Sequence, residues 1–494
     1  MEWLLLILLG LFTYTMVKRS VARLTQTPLW MLWLALMTPA ILWKAWSVVM
    51  QEELPIGLAI GTLIACPLLY LWLIQQGRRE EPASQTQTPF QEDTLERDRE
   101  ESKKKLRPIT TEEEKRLRNC FPWGTYYLQH LDYHPQAILC RGKLRSNPDA
   151  AYQTIRENIE SKFGDRFLII FQEGLPNQPF FALVPNPWAK DQNRPDERLN
   201  RPLLALALFF ITLFTMTIFG GVVEIDREAP ALVYENLEAL KLAFLYYSVP
   251  FIAILSAHEL SHYFMAIRYN IRTTLPYFIP MPLPIGTLGP FVQMKSPVPH
   301  RKALFDIAIA GPIGGFLVTL PLLLWGLSLS EVVPLSETAG IVDLESLALN
   351  PRFSFLFSIL SKLALGSRLA PDTAIDLHPL AIAGSLGIMV TALNLMPVGK
   401  LDGGHIVHAM FGQRMAVAIG QVTRLLMLPL AFFQKGFFVF WAITLLFMPL
   451  TDEPALNDVT DLNSGRDLLG LLALALLAII LLPLPGAVAQ WMNI

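Results

Sequence analysis

The chain has 494 residues, 52% hydrophobic and 17% charged, with a net charge of −2 and a mean hydropathy of +0.39. That balance lacks the basic surplus of a nucleic-acid binder and points to no dominant acidic partner; it reads as membrane. Three cysteines, Cys66, Cys120 and Cys140, form no CxxC pair. Their odd number and wide spacing read as free thiols, with a Cys120–Cys140 redox pair as the minority alternative.

The predicted elements begin with a membrane region, residues 1–77, holding apolar windows near Trp3–Val17, Leu29–Met50 and Pro55–Ile74. The first is short, preceded by Glu2 and followed by Lys18 and Arg19, which argues against a signal peptide. Residues 78–118 are dense in Glu, Lys and Arg and read as a solvated linker, helical around Thr111–Arg118. Residues 119–200 change character. Tyr126–Leu131, Ala137–Leu144, Arg166–Phe171 and Pro179–Val184 read as strands. Pro148–Phe163 reads as a helix capped by Asn147 and ended at Gly164. A small soluble α+β domain is expected there, and nothing in it ranks substrate gating, partner docking or shielding as its role.

Residues 201–494 return to apolar windows near Leu203–Val223, Leu242–Ile267, Ala303–Leu329, Leu380–Leu395, Met415–Phe433, Phe437–Leu450 and Leu468–Leu484. The fold class is therefore an α-helical polytopic membrane protein, with about eight to ten spans and one soluble α+β domain. Lys18, Arg19, Arg78, Arg79, Arg268 and Arg272 place their loops, and with them the soluble domain, on the cytoplasmic side. Between two windows lies a stretch, 273–301, with prolines at 276, 280, 282, 284, 290, 297 and 299 among apolar residues. It cannot be a regular helix. A re-entrant hairpin is expected, with Tyr277–Ile279 and Phe291–Met294 able to pair with an unwound substrate; a fixed plug without substrate contact is the alternative.

Chemistry enters at His258-Glu259-Leu260-Ser261-His262. On a helix the histidines at i and i+4 share one face and can hold one zinc ion, with Glu259 placed as general base towards its water. Ionisable groups at membrane depth are functional by default. A catalytic zinc site takes a third protein ligand. Asp402 supplies a candidate in Asn394-Leu395-Met396-Pro397-Val398-Gly399-Lys400-Leu401-Asp402-Gly403-Gly404, where proline and glycine break a helix. Asp-Gly-Gly is also ordinary turn chemistry. Asn394 either hydrogen-bonds the exposed substrate backbone or the oxyanion, or caps a helix. His405 and His408 are expected to lie behind the ligands, His378 to be structural or interfacial, and Asp306 to make a helix-terminal or internal polar contact.

HExxH on one span and NxxPxxxLDGG near another resemble the paired signature of the site-2 protease family. His378 to Gly384, Asp306 to Gly315 (DIAIAGPIGG) and Leu456 to Thr460 extend the likeness. Together they are similar to the cyanobacterial and plastid branch, with its ethylene-dependent gravitropism-deficient and yellow-green proteases, over roughly residues 120–494. Gly142-Lys143-Leu144-Arg145 departs from that branch's GNLR. The resemblance implies an intramembrane zinc endopeptidase, one Zn²⁺ per chain on His258, His262 and Asp402. Its substrates would be single-span proteins in the bilayer, cut in regulated proteolysis or quality control, in the plasma or thylakoid membrane. A partner on the cytoplasmic side at the soluble domain is expected too. Two other readings stand beside it: a silent membrane scaffold, and a membrane-anchored zincin acting on soluble chains.

Overall fold

The structure is a computed structural model and describes residues 28–50, 109–134, 137–174, 178–187, 201–224, 237–281, 285–334, 354–370, 373–434 and 437–492, with a few single positions before residue 74. The expected spans near 3–17 and 55–74 and the linker through residue 108 lie outside the described residues. Contacts divide the chain into two units, Met1–Arg99 and Glu100–Ile494. In the first, helix α1 spans Leu29–Met50, and the Trp33 indole donates to the Gly10 carbonyl at 2.8 Å.

The second unit opens with helix α2, Thr111–Arg118. Thr110 and Glu113 close a capping box over its free N–H groups: the hydroxyl accepts from Glu113 N–H at 3.3 Å, the carboxylate from Thr110 N–H at 2.8 Å. Strands β1 (Tyr126–His134), β2 (Ala137–Leu144), β3 (Phe167–Glu173) and β4 (Pro179–Pro185) form an antiparallel sheet in the order β1-β2-β4-β3. Helix α3, Pro148–Phe163, is capped by Asn147 and stopped at Gly164 (φ 59°), as its sequence predicts. It buries Tyr152, Ile155 and Ile159 on the sheet, whose core stacks Phe171 on Phe181 with ring centroids 4.2 Å apart. The ββαββ unit appears as read, with β1 running three residues further than expected.

The membrane part is built from helices α4 (Pro202–Glu224), α5 (Leu237–Arg268), α6 (Arg301–Leu329), α7 (Phe355–Leu365), α8 (Pro379–Asn394), α9 (Asp402–Gln434), α10 (Phe437–Phe447), α11 (Ser464–Leu481) and a last turn, α12 (Gly486–Met492). Among the described residues α4 to Gly221, α5, α6 and α11 are long and apolar enough to span a bilayer. Helix α6 is the hub and packs on α5, α8 and α9. Its Asp306 accepts two hydrogen bonds from Arg466 of α11, both 2.7 Å, and one from the Tyr269 hydroxyl past the end of α5. This internal polar contact, one of the expected roles, ties three helix ends together.

Strands β5 (Tyr277–Pro280) and β6 (Thr287–Phe291) pair as a hairpin inside the proline-rich stretch. Thr215, in the middle of α4, donates to Gly286 at the tip at 2.7 Å, and Tyr247 of α5 donates to Ile285 at 3.0 Å. Thr215 stands 13 residues into α4, about 20 Å along its axis. The hairpin tip therefore packs against the middle of α4 and beside α5. A second small ladder, β7 (Glu331–Pro334) with β8 (Thr373–Asp376), closes the opposite end of α6. There His378 is structural: its Nδ1 accepts from Leu380 N–H at 3.2 Å, and its own N–H donates to Ser330 at 3.1 Å.

Candidate metal centre

Helix α5 sorts its faces by period. Leu260, Phe264 and Ile267 are exposed to the lipid side, while Phe251, Leu255 and His258 are buried. His262, one turn after His258, turns inward with it, so the ionisable stripe faces α6 and not hydrocarbon. A π-helical turn, Ala243–Ser248, precedes the site, and Pro250 follows, unable to donate to the preceding turn.

Close approach of α6 makes the pocket. A Cβ on Gly311 would collide with the His262 imidazole, and one on Gly314 with the Ser261 hydroxyl. Glycine there lets the backbones touch. His262 Nδ1 consequently reaches the Ile307 carbonyl at 2.8 Å. A carbonyl only accepts, so Nδ1 carries the proton, and in the neutral ring Nε2 is left as a lone pair.

Asp402 arrives by a tight reversal. After α8 ends at Asn394, Gly399 turns at φ 54°, a left-handed conformation that favours glycine. A side chain on Gly403 would strike the Leu395 carbonyl, and one on Gly404 the Gly399 carbonyl. The glycines make the turn, and the turn carries the Asp402 carboxylate towards His258 and His262.

Three donor atoms converge. His258 Nε2 lies 3.2 Å from His262 Nε2, and Asp402 Oδ2 lies 3.3 and 3.2 Å from those two nitrogens. In a tetrahedron of ligands the edge is about 1.63 times the metal distance, so these edges correspond to about 2.0 Å, the Zn–N and Zn–O range. Asp402 Oδ2 is buried without a hydrogen-bond partner, as is His258 Nδ1. Two imidazole lone pairs and a carboxylate oxygen at this spacing repel one another unless a cation lies between them, so the residues fit zinc. No other cluster of this kind occurs among the described residues.

Glu259 is half-buried beside the triad. Asn394, at the end of α8, aims Nδ2 at His258 Nε2 from 3.4 Å, so its side chain faces the centre and not its own helix terminus. His262 is six residues before Arg268, about 9 Å from the end of α5, at the end of the bundle that carries the soluble domain. Sequence reading passed over Ile307 and Gly311. The GPIGG run was in view, but only helix contact gives it this purpose.

A bundle of apolar spans that closes two imidazoles and a carboxylate around one point is a polytopic membrane protein with a His-His-Asp cluster fit to hold a metal ion. Residues 246–432 match peptidase family M50, and residues 115–192 match the EGY3 middle domain. The "Probable zinc metalloprotease EGY1, chloroplastic" of Arabidopsis thaliana is 31% identical over 383 residues, covering 73% of this chain and 68% of that protein. The "Probable zinc metalloprotease EGY2, chloroplastic" of Oryza sativa subsp. indica is 28% identical over 375 residues, covering 74% of this chain. This chain spans 65% of that rice protein's length. No solved structure matches. The chain belongs to peptidase family M50, the site-2 protease family.

Proposed function

We propose that the chain is a zinc-dependent intramembrane endopeptidase that cuts single-span membrane proteins, in regulated proteolysis or membrane quality control. The observation that carries this reading is the 3.2–3.3 Å triangle of His258, His262 and Asp402 inside a span, with Glu259 beside it. Bound zinc would supply Lewis acidity, polarising a carbonyl and making a water acidic near neutral pH. Glu259 would take a proton from the attacking water and pass it to the departing amine, so one carboxylate would serve as base and then acid. Asn394 offers an amide N–H₂ at the mouth of the centre, suited to hold a substrate carbonyl.

A helical substrate hides its carbonyls in its own hydrogen bonds. The β5–β6 hairpin offers an extended template next to α5, with Leu288 and Phe291 exposed, on which an unwound segment can add as a strand. Chloroplast relatives favour a photosynthetic membrane, and Arg268 and Arg272 favour a centre on its cytoplasmic or stromal side. A partner that docks on the soluble domain from that side fits the same orientation.

The test is a comparison of membrane-protein fragments in cells carrying the natural chain or Glu259→Gln, with zinc content measured on both purified proteins. Equal zinc with one single-span protein left uncut in the variant is the expected result. Identical fragment profiles, alongside a defect on deletion of the whole chain, would replace the protease reading with a scaffold.

A further inference from the structure

The segment 452–461, between α10 and α11, touches both the soluble domain and the helix that begins at Asp402. On one side Asp452 Oδ2 accepts from His405 Nδ1 at 2.6 Å and lies 3.0 Å from His408 Nδ1. Gln413 donates to the Asp452 carbonyl at 2.8 Å. His408, fully buried, has its other nitrogen 3.1 Å from Asp458 Oδ1, so it donates at both ends. Asp458 also pairs with buried Arg301 at 3.2 Å, and Arg301 reaches Glu173 of β3 at 3.4 Å. The buried charges close on themselves, the condition for tolerating such a network.

On the other side the same segment is part of the soluble domain. Phe171 of β3 donates to the Leu456 carbonyl at 2.7 Å, and Asp458 N–H donates to the Phe171 carbonyl at 2.9 Å. Leu456 and Asn457 N–H donate in turn to Val298 and Pro299, just before α6, at 2.9 and 3.0 Å. Leu456 and Val459 pack into the soluble core, and Asn457 Nδ2 donates to Asp149 of α3 at 3.2 Å. The segment thus meets the open edge of the sheet at β3 through an isolated parallel bridge between Phe171 and Asn457.

We propose that Asp452 is a positioning residue for the metal centre, holding Asp402 in place through His405 and His408, with the soluble domain as its anchor. The inference rests on the zinc reading above. From Asp402 to the break at Gly412 (φ 79°) the helix is a short rod of about 15 Å. His408 is six residues, about 9 Å, from Asp402 along that rod. A tilt of 10° there swings the carboxylate by about 1.5 Å, whereas metal–ligand distances tolerate about 0.2 Å. Holding the rod by two histidines therefore decides whether the third ligand closes the site. The soluble domain gains a role from this linkage, since whatever docks on it or draws it away acts on Asp402.

The test uses the full chain in detergent, with zinc affinity from chelator competition and the visible spectrum of the cobalt-loaded protein. Asp452→Asn is expected to weaken zinc about tenfold or more and to shift the cobalt bands. Asn457→Ala, which unhooks the segment from α3, should move both readouts the same way by less. Tyr126→Phe, which loosens the soluble core through its hydrogen bonds to Cys140 and Pro179, should lower thermal stability and leave both readouts unchanged. Unaltered zinc affinity and cobalt spectrum in folded Asp452→Asn, or in Asn457→Ala should Asp452→Asn not fold, would overturn the inference and leave the zinc reading standing. A folded natural chain that takes up no zinc would overturn both.

Discussion

His262 donates from Nδ1 to the carbonyl of Ile307 at 2.8 Å, across the contact between α5 and α6. The bond fixes the tautomer and ring orientation of the His262 imidazole, as a metal ligand would require, and it exists because Gly311 leaves no side chain in the way. Gly311→Ala puts a methyl group into the His262 ring, so the ring or the helix must shift. Zinc affinity should fall about 10–100-fold while helix content by circular dichroism stays near the natural level. Natural affinity in this variant would show that the helices do not touch as closely as the structure has them.

Asp402 closes the triangle, and its removal separates two kinds of metalloprotease. With two imidazoles alone the centre lacks its third protein ligand, so Asp402→Ala should lose both zinc and cleavage. Glu259→Gln, by contrast, should keep zinc while cleavage drops by about 10²–10⁴-fold. Retention of zinc and activity in Asp402→Ala would point to a glutamate ligand elsewhere, and so to a membrane-anchored zincin.

The exposed side of the β5–β6 hairpin yields a prediction about substrate, not metal. Leu288 is 66% exposed and Phe291 54%, beside the helix that carries His258 and His262. Replacing both with serine removes apolar contact for an incoming strand but no ligand. The expected result is a several-fold fall in kcat/KM on a purified single-span substrate with zinc content unchanged. Unchanged kcat/KM would make the hairpin a plug.

What was legible in the chain followed from period and from chemistry-bearing spacing. HExxH put two imidazoles on one helix face, and the Asn147 and Gly164 caps bounded α3 to the residue. Asp402 needed two motifs about 140 residues apart to be read together. The backing of His262 by Ile307 and the clamp of Asp452 on His405 and His408 were not legible. Neither leaves a periodic trace, because each is a contact between elements that only the packing of α6 and the return of the 452–461 segment bring together. Leu456 to Thr460 was noticed as a motif, but a segment that touches another domain's sheet through a single bridge looks like a loop.

Burial raises the thiol pKa values of Cys120 and Cys140, with Cys140 driven far up and its neighbour Cys120 adding to the rise. Thiolate is the reacting form, and Cys120 and Cys140 are fully buried. An alkylating reagent at pH 7.5 should leave both unmodified for hours in the folded protein, by mass spectrometry. Rapid loss of both thiols, or their oxidation to a pair, would restore the redox reading.

Asp452 lies in the segment between α10 and α11, and its titration should govern how the joint responds to acid. Burial pushes its carboxyl up, but the imidazoles of His405 and His408 outweigh burial and hold it well below the usual carboxylate range. Asp458 faces the same His408, and Glu453 turns outward to Lys400. A carboxyl depressed in the folded state stabilises above its unfolded value, about 3.9, and that stabilisation fades as pH falls through and below it. Exchange of the Asp458 and Phe171 amides, which join the segment to β3, should stay protected from pH 7 to about 4.5 once intrinsic rates are removed. Protection should fall below about pH 4, and in Asp452→Asn this acid dependence should flatten. Protection lost between pH 5 and 7 instead would place the controlling proton on an imidazole.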